Sequence, residues 1–366
     1  MKAKTVSSAS SVYKMMNQLP RAEELGNSLF LVVDSYFRNK PVMKNWISRL
    51  EKSAEVVVYW VQAGEELKNL TRFADHVLRI QKLLGPKFGK NFCIVGVGGG
   101  SVGDFSGFLA SVYKRGVPHV QIPSTLLAAI DSAHGGKNGL NVGGVKNQIG
   151  TIYPPRRVLI VKELFKNHNP DRCLEAYGEL YKMAWIQGGE LWNSLNQMKR
   201  IDLESMWVGL PQAIAAKYKV VKKDPNETLG HRHILNLGHT MGHVFESYYH
   251  LPHGLAVLAG MDFAFFFSAQ KKILKMPTEK IFAQPSSLLL SDELKKSRFT
   301  RLNYPSLLSI PVKDLKSLLL QDKKRVAGEK IRFVFPVKPG VCKIESVSVE
   351  ELLNEYQRQK GFFFDV

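Results

Sequence analysis

Apolar residues come in two rhythms along this chain, and the rhythm changes near residue 164. Before that point, short β-prone runs at 29–34, 55–60, 92–97, 119–122 and 157–161 alternate with helical spacing near 42–52 and 67–84. Short continuous apolar runs separated by helices predict a parallel sheet buried on both faces. Beyond residue 164 the spacing is mainly helical, at 171–187, 205–221, 235–249, 254–271 and 312–320, with a late strand at 331–336. The stretch 275–309 carries Pro277, Pro285 and Pro305 and reads as short helices and loops. A length of 366 residues exceeds one ordinary core, which agrees with two domains, at 1–163 and 164–366.

The run ending at Val97 passes directly into Gly98, Gly99, Gly100, Ser101, Val102, Gly103 and Asp104, and helical spacing follows at 105–113. Strand, glycine turn and helix start together form a phosphate cradle. Glycines admit a pyrophosphate close to backbone N–H groups, and a helix N-terminus favours negative charge. The spacing is not Gly-x-Gly-x-x-Gly, so this is no ordinary Rossmann fingerprint, and a tight turn without a ligand fits a lone glycine loop as well. From Gln121 to Gly150 the chain carries Ser124, Thr125, Asp131, Lys137, Lys146 and Asn147 among glycine pairs. That segment is too polar for a core and too glycine-rich for a stable helix, so it is expected to line a cleft.

The second half holds Leu-Asn-Leu-Gly-His-Thr-Met-Gly-His at 235–243 and His253 ten residues on. His239 and His243, at i and i+4, share one helix face. Imidazole is the commonest metal ligand, and a catalytic zinc takes three protein groups and keeps one position open. Spacing alone leaves open whether His239 and His243 form a metal pair or only a helix face. Glu179 and Lys182, at i and i+3 on a helix from about 171, read equally as a surface ion pair.

Composition narrows the class. Cys93, Cys173 and Cys342 are odd in number and scattered, which fits neither a disulfide framework nor a spaced metal pair and suggests a reducing cytoplasm. No apolar signal segment stands at 1–11, and the longest apolar runs are too short to span a membrane. The formal charge is +19. Its lysines and arginines are spread out, with no zinc-finger spacing or RNA-binding aromatic motif, so they are read as a solvated face and no nucleic-acid partner is expected.

In order, 64–68, 98–104, Arg115-Gly116, the block 131–147, 179–182, 232–243, His253-Gly254 and 322–324 resemble the 3-dehydroquinate synthases, within the sugar-phosphate cyclases. The resemblance covers about 29–340. It implies an α/β N-terminal nucleotide-binding domain with a parallel sheet, and a mainly α-helical C-terminal metal-binding domain. It implies NAD held by Asp34, Glu65, Lys68, Gly98, Gly99, Gly100, Ser101, Asp104, Ser124, Thr125, Asp131, Lys137, Lys146 and Asn167. It implies zinc (or cobalt) on Glu179, His239 and His253, which leaves His243 as a substrate contact. Lys137, Asn147, Lys182, Lys217, Arg232, Asn236, Lys323 and Lys324 complete the substrate site, with Arg115 reaching in from a homodimer partner. The interval from Lys217 to Arg232 is one residue longer than in the family, so Lys219 stands as an alternative to Lys217.

The implied substrate is a phosphorylated sugar acid, 3-deoxy-D-arabino-heptulosonate 7-phosphate. It is converted to 3-dehydroquinate and phosphate, a step of aromatic amino acid biosynthesis. In the family a ring hydroxyl is oxidised, phosphate is eliminated, the ketone is reduced again, and an aldol step closes the carbocycle, so NAD shows no net turnover. The alternatives are another sugar-phosphate cyclase, an NAD- and metal-dependent polyol dehydrogenase, or a non-catalytic binding protein. Two departures stand out: Leu255 where the family has glutamate after His-Gly, and Phe165 to His168 where it commonly has Lys-Thr-Leu.

Overall fold

The structure, a computed structural model, describes residues 12–85, 88, 91–277, 304–320, 325–326 and 329–364. The chain divides into two compact units, Met1–Asn167 and His168–Val366.

The first unit is built on a six-stranded sheet. Its strands are β1 (Val12–Met16), β2 (Ser28–Asp34), β3 (Glu55–Val61), β4 (Cys93–Gly98), β5 (His119–Pro123) and β8 (Arg157–Val161), in the order β1-β8-β5-β4-β2-β3 with every pairing parallel. The strands read as unbroken apolar runs because both faces are covered. Leu29, Leu31 and Val33 enter one core with α1 (Ala22–Leu25) and with Met43 and Trp46 of α2 (Pro41–Leu50), and Phe30 and Val32 enter the other. That second core takes Phe73 and Ile80 of α3 (Leu70–Leu84) and Val102, Phe105 and Leu109 of α4 (Gly100–Val112). Strand β1 was missed in the sequence because Val-Tyr-Lys-Met-Met is short and carries a lysine; parallel pairing with β8 fixes it.

The helix after β4 starts at Gly100, not Phe105, so the glycines form its first turn as well as the turn before it. The segment expected to line a cleft contains α5 (Leu126–Ile130) and an antiparallel hairpin, β6 (Lys137–Val142) and β7 (Val145–Ile152). Its turn residues Gly143 and Gly144 have φ of 57° and 80°, a left-handed backbone that glycine adopts without strain.

The second unit is mainly helical: α6 (Pro170–Gln187), α7 (Gly189–Asn196), α8 (Leu203–Lys223), α9 (His239–Tyr249), α10 (His253–Gln270), α11 (Val312–Leu320) and α12 (Val349–Phe364). Strand β9 (Arg325–Val326) pairs with β10 (Lys330–Lys338), which pairs with β11 (Val341–Ser348), all antiparallel. The late strand was expected; its partner β11, short α7 and the C-terminal helix were not. Aromatic contacts bind the core, with Trp185 of α6 4.6 Å from Phe265 of α10 between ring centroids and Phe267 5.1 Å from Phe335 of β10. The expected helix at 235–249 is two pieces: a 3₁₀ segment His231–Asn236, then α9, separated by Gly238 at φ 78°.

Candidate functional site

In an open parallel sheet, ligands bind outside the carboxyl ends of the strands. The first unit's candidate residues hang there. Asp34 ends β2, Glu65 follows β3, Gly98 ends β4, and Ser124 and Thr125 follow β5. Asp34 accepts a hydrogen bond from Tyr36 N at 3.0 Å, and burial raises its carboxyl above the usual range despite the backbone donors of Tyr36 and Ala63. Thr125 caps α5 by accepting from Ala128 N at 3.1 Å, an ordinary turn role. Helix α4 is different. Its N-cap, Gly99, has no side chain to cap the first turn. That fits a pyrophosphate better than a capped turn would.

Glu65 to Lys68 form a 3₁₀ turn tied to the cradle by Gly64 N donating to Ser101 Oγ at 3.0 Å. Lys68 is buried, and its ammonium lies 2.6 Å from Asp104 Oδ2 and 2.7 Å from Asn147 Oδ1. Burial raises the Asp104 carboxyl; the Lys68 ammonium opposes the shift without cancelling it. Lys137 and Lys146 are exposed on the hairpin, and Asp131 ends α5. Arg115 is exposed and, with Lys114, sits at positive φ (67° and 49°) before Gly116, a backbone that costs energy for non-glycine residues. Asn167 is exposed, after β8 and the turn that follows it.

The second unit brings its three metal candidates together. One ligand atom each from Glu179, His239 and His253 lies within 4.8 Å of the others. Each stands beside a glycine at a close crossing. A Cβ on Gly178 would lie 2.0 Å from the Gly254 carbonyl oxygen, and one on Gly254 would lie 1.6 Å from that of Glu175. Gly238 is itself pressed against, since a Cβ on Gly260 would lie 1.9 Å from its oxygen. Only glycine admits such approach, and it lets α6, α9 and α10 place their adjacent side chains in one space.

Glu179 is fully buried, and neither carboxylate oxygen accepts a well-formed hydrogen bond. The Lys182 ammonium lies 2.5 Å from Oε2, while His253 Nε2 and His239 Nε2 lie 3.4 and 3.6 Å from Oε1. On the far side of each ring, His239 Nδ1 meets Leu237 O at 3.1 Å and His253 Nδ1 meets Glu246 Oε2 at 2.8 Å. Those partners leave both Nε2 atoms to face Glu179, as in metal-binding histidines held by outer hydrogen bonds. Burial pulls the His253 imidazole down, but Glu179 and Glu246 outweigh it and push its pKa up to about 10. Two imidazoles and a carboxylate, each offering one donor atom to the same space, form a zinc-compatible set.

His243 lies beside this group, its ring centroid 5.4 Å from that of His239 and 6.3 Å from that of His253. Leu255 is buried. The carboxylate on His253 comes from Glu246, so the missing acid at 255 does not strip that histidine of its partner. Glu246 was missed in the sequence, although 239, 243 and 246 are i, i+4 and i+7 on one helix face. Lys217 is buried on α8 and Lys219 is exposed. Arg232 is buried; its N donates to Asp224 Oδ2 at 3.3 Å and its Nη1 to Pro225 O at 3.0 Å. Asp224 also accepts from Leu229 N at 3.0 Å, so one carboxylate organises the lengthened loop before Arg232. Asn236 ends the 3₁₀ segment. Lys323 and Lys324 lie outside the described residues.

Comparison with solved structures defines the class first. The chain superposes with TM-score 0.80 on 2-epi-5-epi-valiolone synthase from Streptomyces hygroscopicus subsp. jinggangensis, a structure with NAD+ and Zn2+ bound, at 19% identity over 99% of this chain and 100% of that one. It superposes with TM-score 0.78 on a 2-deoxy-scyllo-inosose synthase complexed with carbaglucose-6-phosphate, NAD+ and Co2+, at 21% identity over 95% and 96%. The fold is that of these cyclases. Residues 58–175 match the family model for the 3-dehydroquinate synthase N-terminal region, and 176–325 that for its C-terminal region. The 3-dehydroquinate synthase of Pelagibacter ubique is 36% identical over 318 residues, 84% of each chain. A bifunctional shikimate kinase/3-dehydroquinate synthase of Thermotoga maritima is 33% identical over 292 residues, 79% of this chain, which spans 55% of that longer protein. The chain belongs to the 3-dehydroquinate synthase family.

Proposed function

We propose that this chain is a 3-dehydroquinate synthase, a carbon–oxygen lyase that converts 3-deoxy-D-arabino-heptulosonate 7-phosphate to 3-dehydroquinate and phosphate. The observation that carries the reading is the buried Glu179 carboxylate facing the Nε2 atoms of His239 and His253 in a member of that family. The first unit takes the NAD role, through Asp34, Glu65, Lys68, Gly98 to Ser101, Asp104, Ser124, Thr125, Asp131, Lys137, Lys146 and Asn167. The second takes zinc or cobalt on Glu179, His239 and His253. When bound, NAD supplies reversible hydride acceptance and the metal supplies charge that polarises oxygen.

The chain's own residues do the rest. Glu246 and the Leu237 carbonyl hold the two rings so that Nε2 of each points inward. Lys182 limits the charge of Glu179 in a buried place. His243, Lys217, Arg232 and Asn236 supply donors suited to an anionic sugar acid bearing phosphate and carboxylate. Lys137, Asn147, Lys323 and Lys324 belong to the same proposed substrate set. Asp34 at the ribose edge disfavours a 2′-phosphate, so NAD is preferred to NADP.

The homodimer belongs to the same reading, with Arg115, exposed on its own unit, proposed to reach toward a second copy's site. Among the described residues no helix is long and apolar enough to cross a membrane. A cytoplasmic site of action without nucleic-acid or membrane partners completes the proposal.

The test is an assay of purified protein with the heptulosonate phosphate and sub-stoichiometric NAD. Phosphate and dehydroquinate should appear together over many turnovers while NADH absorbance stays flat. Stoichiometric NADH from a simple polyol, without phosphate release, would favour the dehydrogenase alternative instead.

A further inference from the structure

One of the side chains that join the hairpin β6–β7 to the nucleotide edge of the first unit has no assigned role. Asn141, in β6, uses both ends of its amide. Nδ2 donates to Glu65 Oε2 at 2.7 Å, and Oδ1 accepts the backbone N–H of Asn147 at 2.9 Å. Its backbone forms an isolated parallel bridge with Asn69, just after the Glu65–Lys68 turn. Asn147 has φ 52°, a left-handed backbone that non-glycine residues adopt at a cost, and its side chain accepts from Lys68. Two asparagines thus tie the hairpin to the residues that flank the glycine cradle.

The geometry has a direction. Asn141 occupies Oε2 of Glu65, whose turn follows the carboxyl end of β3. The same amide holds the backbone of Asn147, and Lys146 is the residue before it. A ligand that fixes Glu65 therefore also fixes the hairpin carrying Lys146.

We infer that Asn141 is a positioning residue through which a nucleotide held at Glu65 orders the β6–β7 hairpin. The inference rests on the NAD reading of this edge.

The experiment uses the full metal-loaded chain and NAD+ itself. It measures amide hydrogen exchange across 137–152 with and without NAD+, alongside direct NAD+ titration. NAD+ should slow exchange in the hairpin of the unsubstituted protein. Asn141→Ala removes both arms; it should abolish most of that slowing and weaken NAD+ roughly tenfold, the scale of a hydrogen bond to a charged group.

Asn141→Asp keeps an acceptor for Asn147 N but sets a carboxylate against Glu65. It should retain hairpin protection without NAD+ yet lose the response to it. A merely structural asparagine would lower protection with and without NAD+ alike and leave the response to it intact. NAD+ binding with an undiminished hairpin response in Asn141→Ala or in Asn141→Asp overturns this inference alone. No NAD+ binding by the unsubstituted protein overturns both this inference and the cofactor reading.

Discussion

In Met1–Asn167 most candidate ligand groups stand on turns after strand ends or on the hairpin, many of them exposed, and Lys68 is paired with Asp104. In His168–Val366 they stand on helices, and Glu179 is wholly buried. The first arrangement relies on backbone: an uncapped helix start, glycines, and a chain of polar side chains from Glu65 to Asp104. The second relies on side chains brought together by glycine crossings. A backbone cradle tolerates side-chain change and reads shape, which suits a dinucleotide. A convergence of three buried donors tolerates almost none, which suits an ion. The contrast predicts that the second unit fails abruptly and the first by degrees.

The largest effect is expected from His253→Ala. It removes one of three donors and leaves Glu179 facing fewer partners in a buried space, so divalent metal affinity should fall by roughly a hundredfold or more. Metal analysis after dialysis checks it, and undiminished zinc would break the ligand assignment. Gly178→Ala sharpens the point because it touches no ligand. Its Cβ would meet the Gly254 carbonyl at 2.0 Å, so α6 and α10 must part and carry Glu179 away from His253. The expected outcome is loss of metal on the same scale from a correctly folded protein, read by metal content beside far-UV circular dichroism. Retained metal would show that the crossing does not set the donor distance.

Lys68→Met tests the first unit. It removes the ammonium between Asp104 and Asn147 and leaves a largely buried carboxyl whose pKa is already raised. NAD+ affinity should fall by roughly ten- to a hundredfold, the scale of losing a partner of a buried charge, while metal content stays unchanged. A fall in both would contradict two independently built sites. Glu246→Gln is milder. The introduced amide can still meet His253 Nδ1 but carries no charge, so metal affinity should fall by about tenfold, at the low end for a partner of a metal-binding histidine. A titration against a competing chelator measures it.

Much of this was legible in the chain. The parallel sheet could be read because strands buried on both faces are apolar at successive positions, and the long helices because their spacing repeats. Strand β1 escaped because it exists through pairing with β8, more than a hundred residues away; β11 pairs with its neighbour β10, but its polar-rich run gave no apolar signal of its own. At the metal group, His-x-x-x-His pointed first to His239 and His243, whereas the structure groups His239 with His253 and Glu179. Local spacing shows which residues share a helix face but not which helix comes to meet it. Glycines 178, 238 and 254 carried that information, and they are legible only once a crossing is known. Asn141 looked like one more polar residue in a glycine-rich segment, because its two partners lie 76 and 6 residues away.

The smallest effects separate the units by pH. His119, at the start of β5, is buried with neither ring nitrogen hydrogen-bonded, and burial lowers its pKa to about 3. Between that value and the ordinary one near 6.5, the unfolded chain binds a proton that the folded chain refuses. Stability from this site is therefore complete above the upper value and is lost as pH falls through the window. Asp262, on α10, has the opposite sign: burial pushes its carboxyl up to about 8 from 3.8. Between those values the folded chain holds a proton that the unfolded chain releases, so stability is lost as pH rises through the window. In a melting-temperature profile, His119→Leu should flatten the contribution that falls from pH 6.5 down to about 3, and Asp262→Asn the one that falls from pH 3.8 up to about 8. Hydrogen exchange should place the first loss in β5 and the second in α10. Unchanged slopes in both variants would mean that other groups govern the profile, and both losses in the same unit would break the contrast between the two.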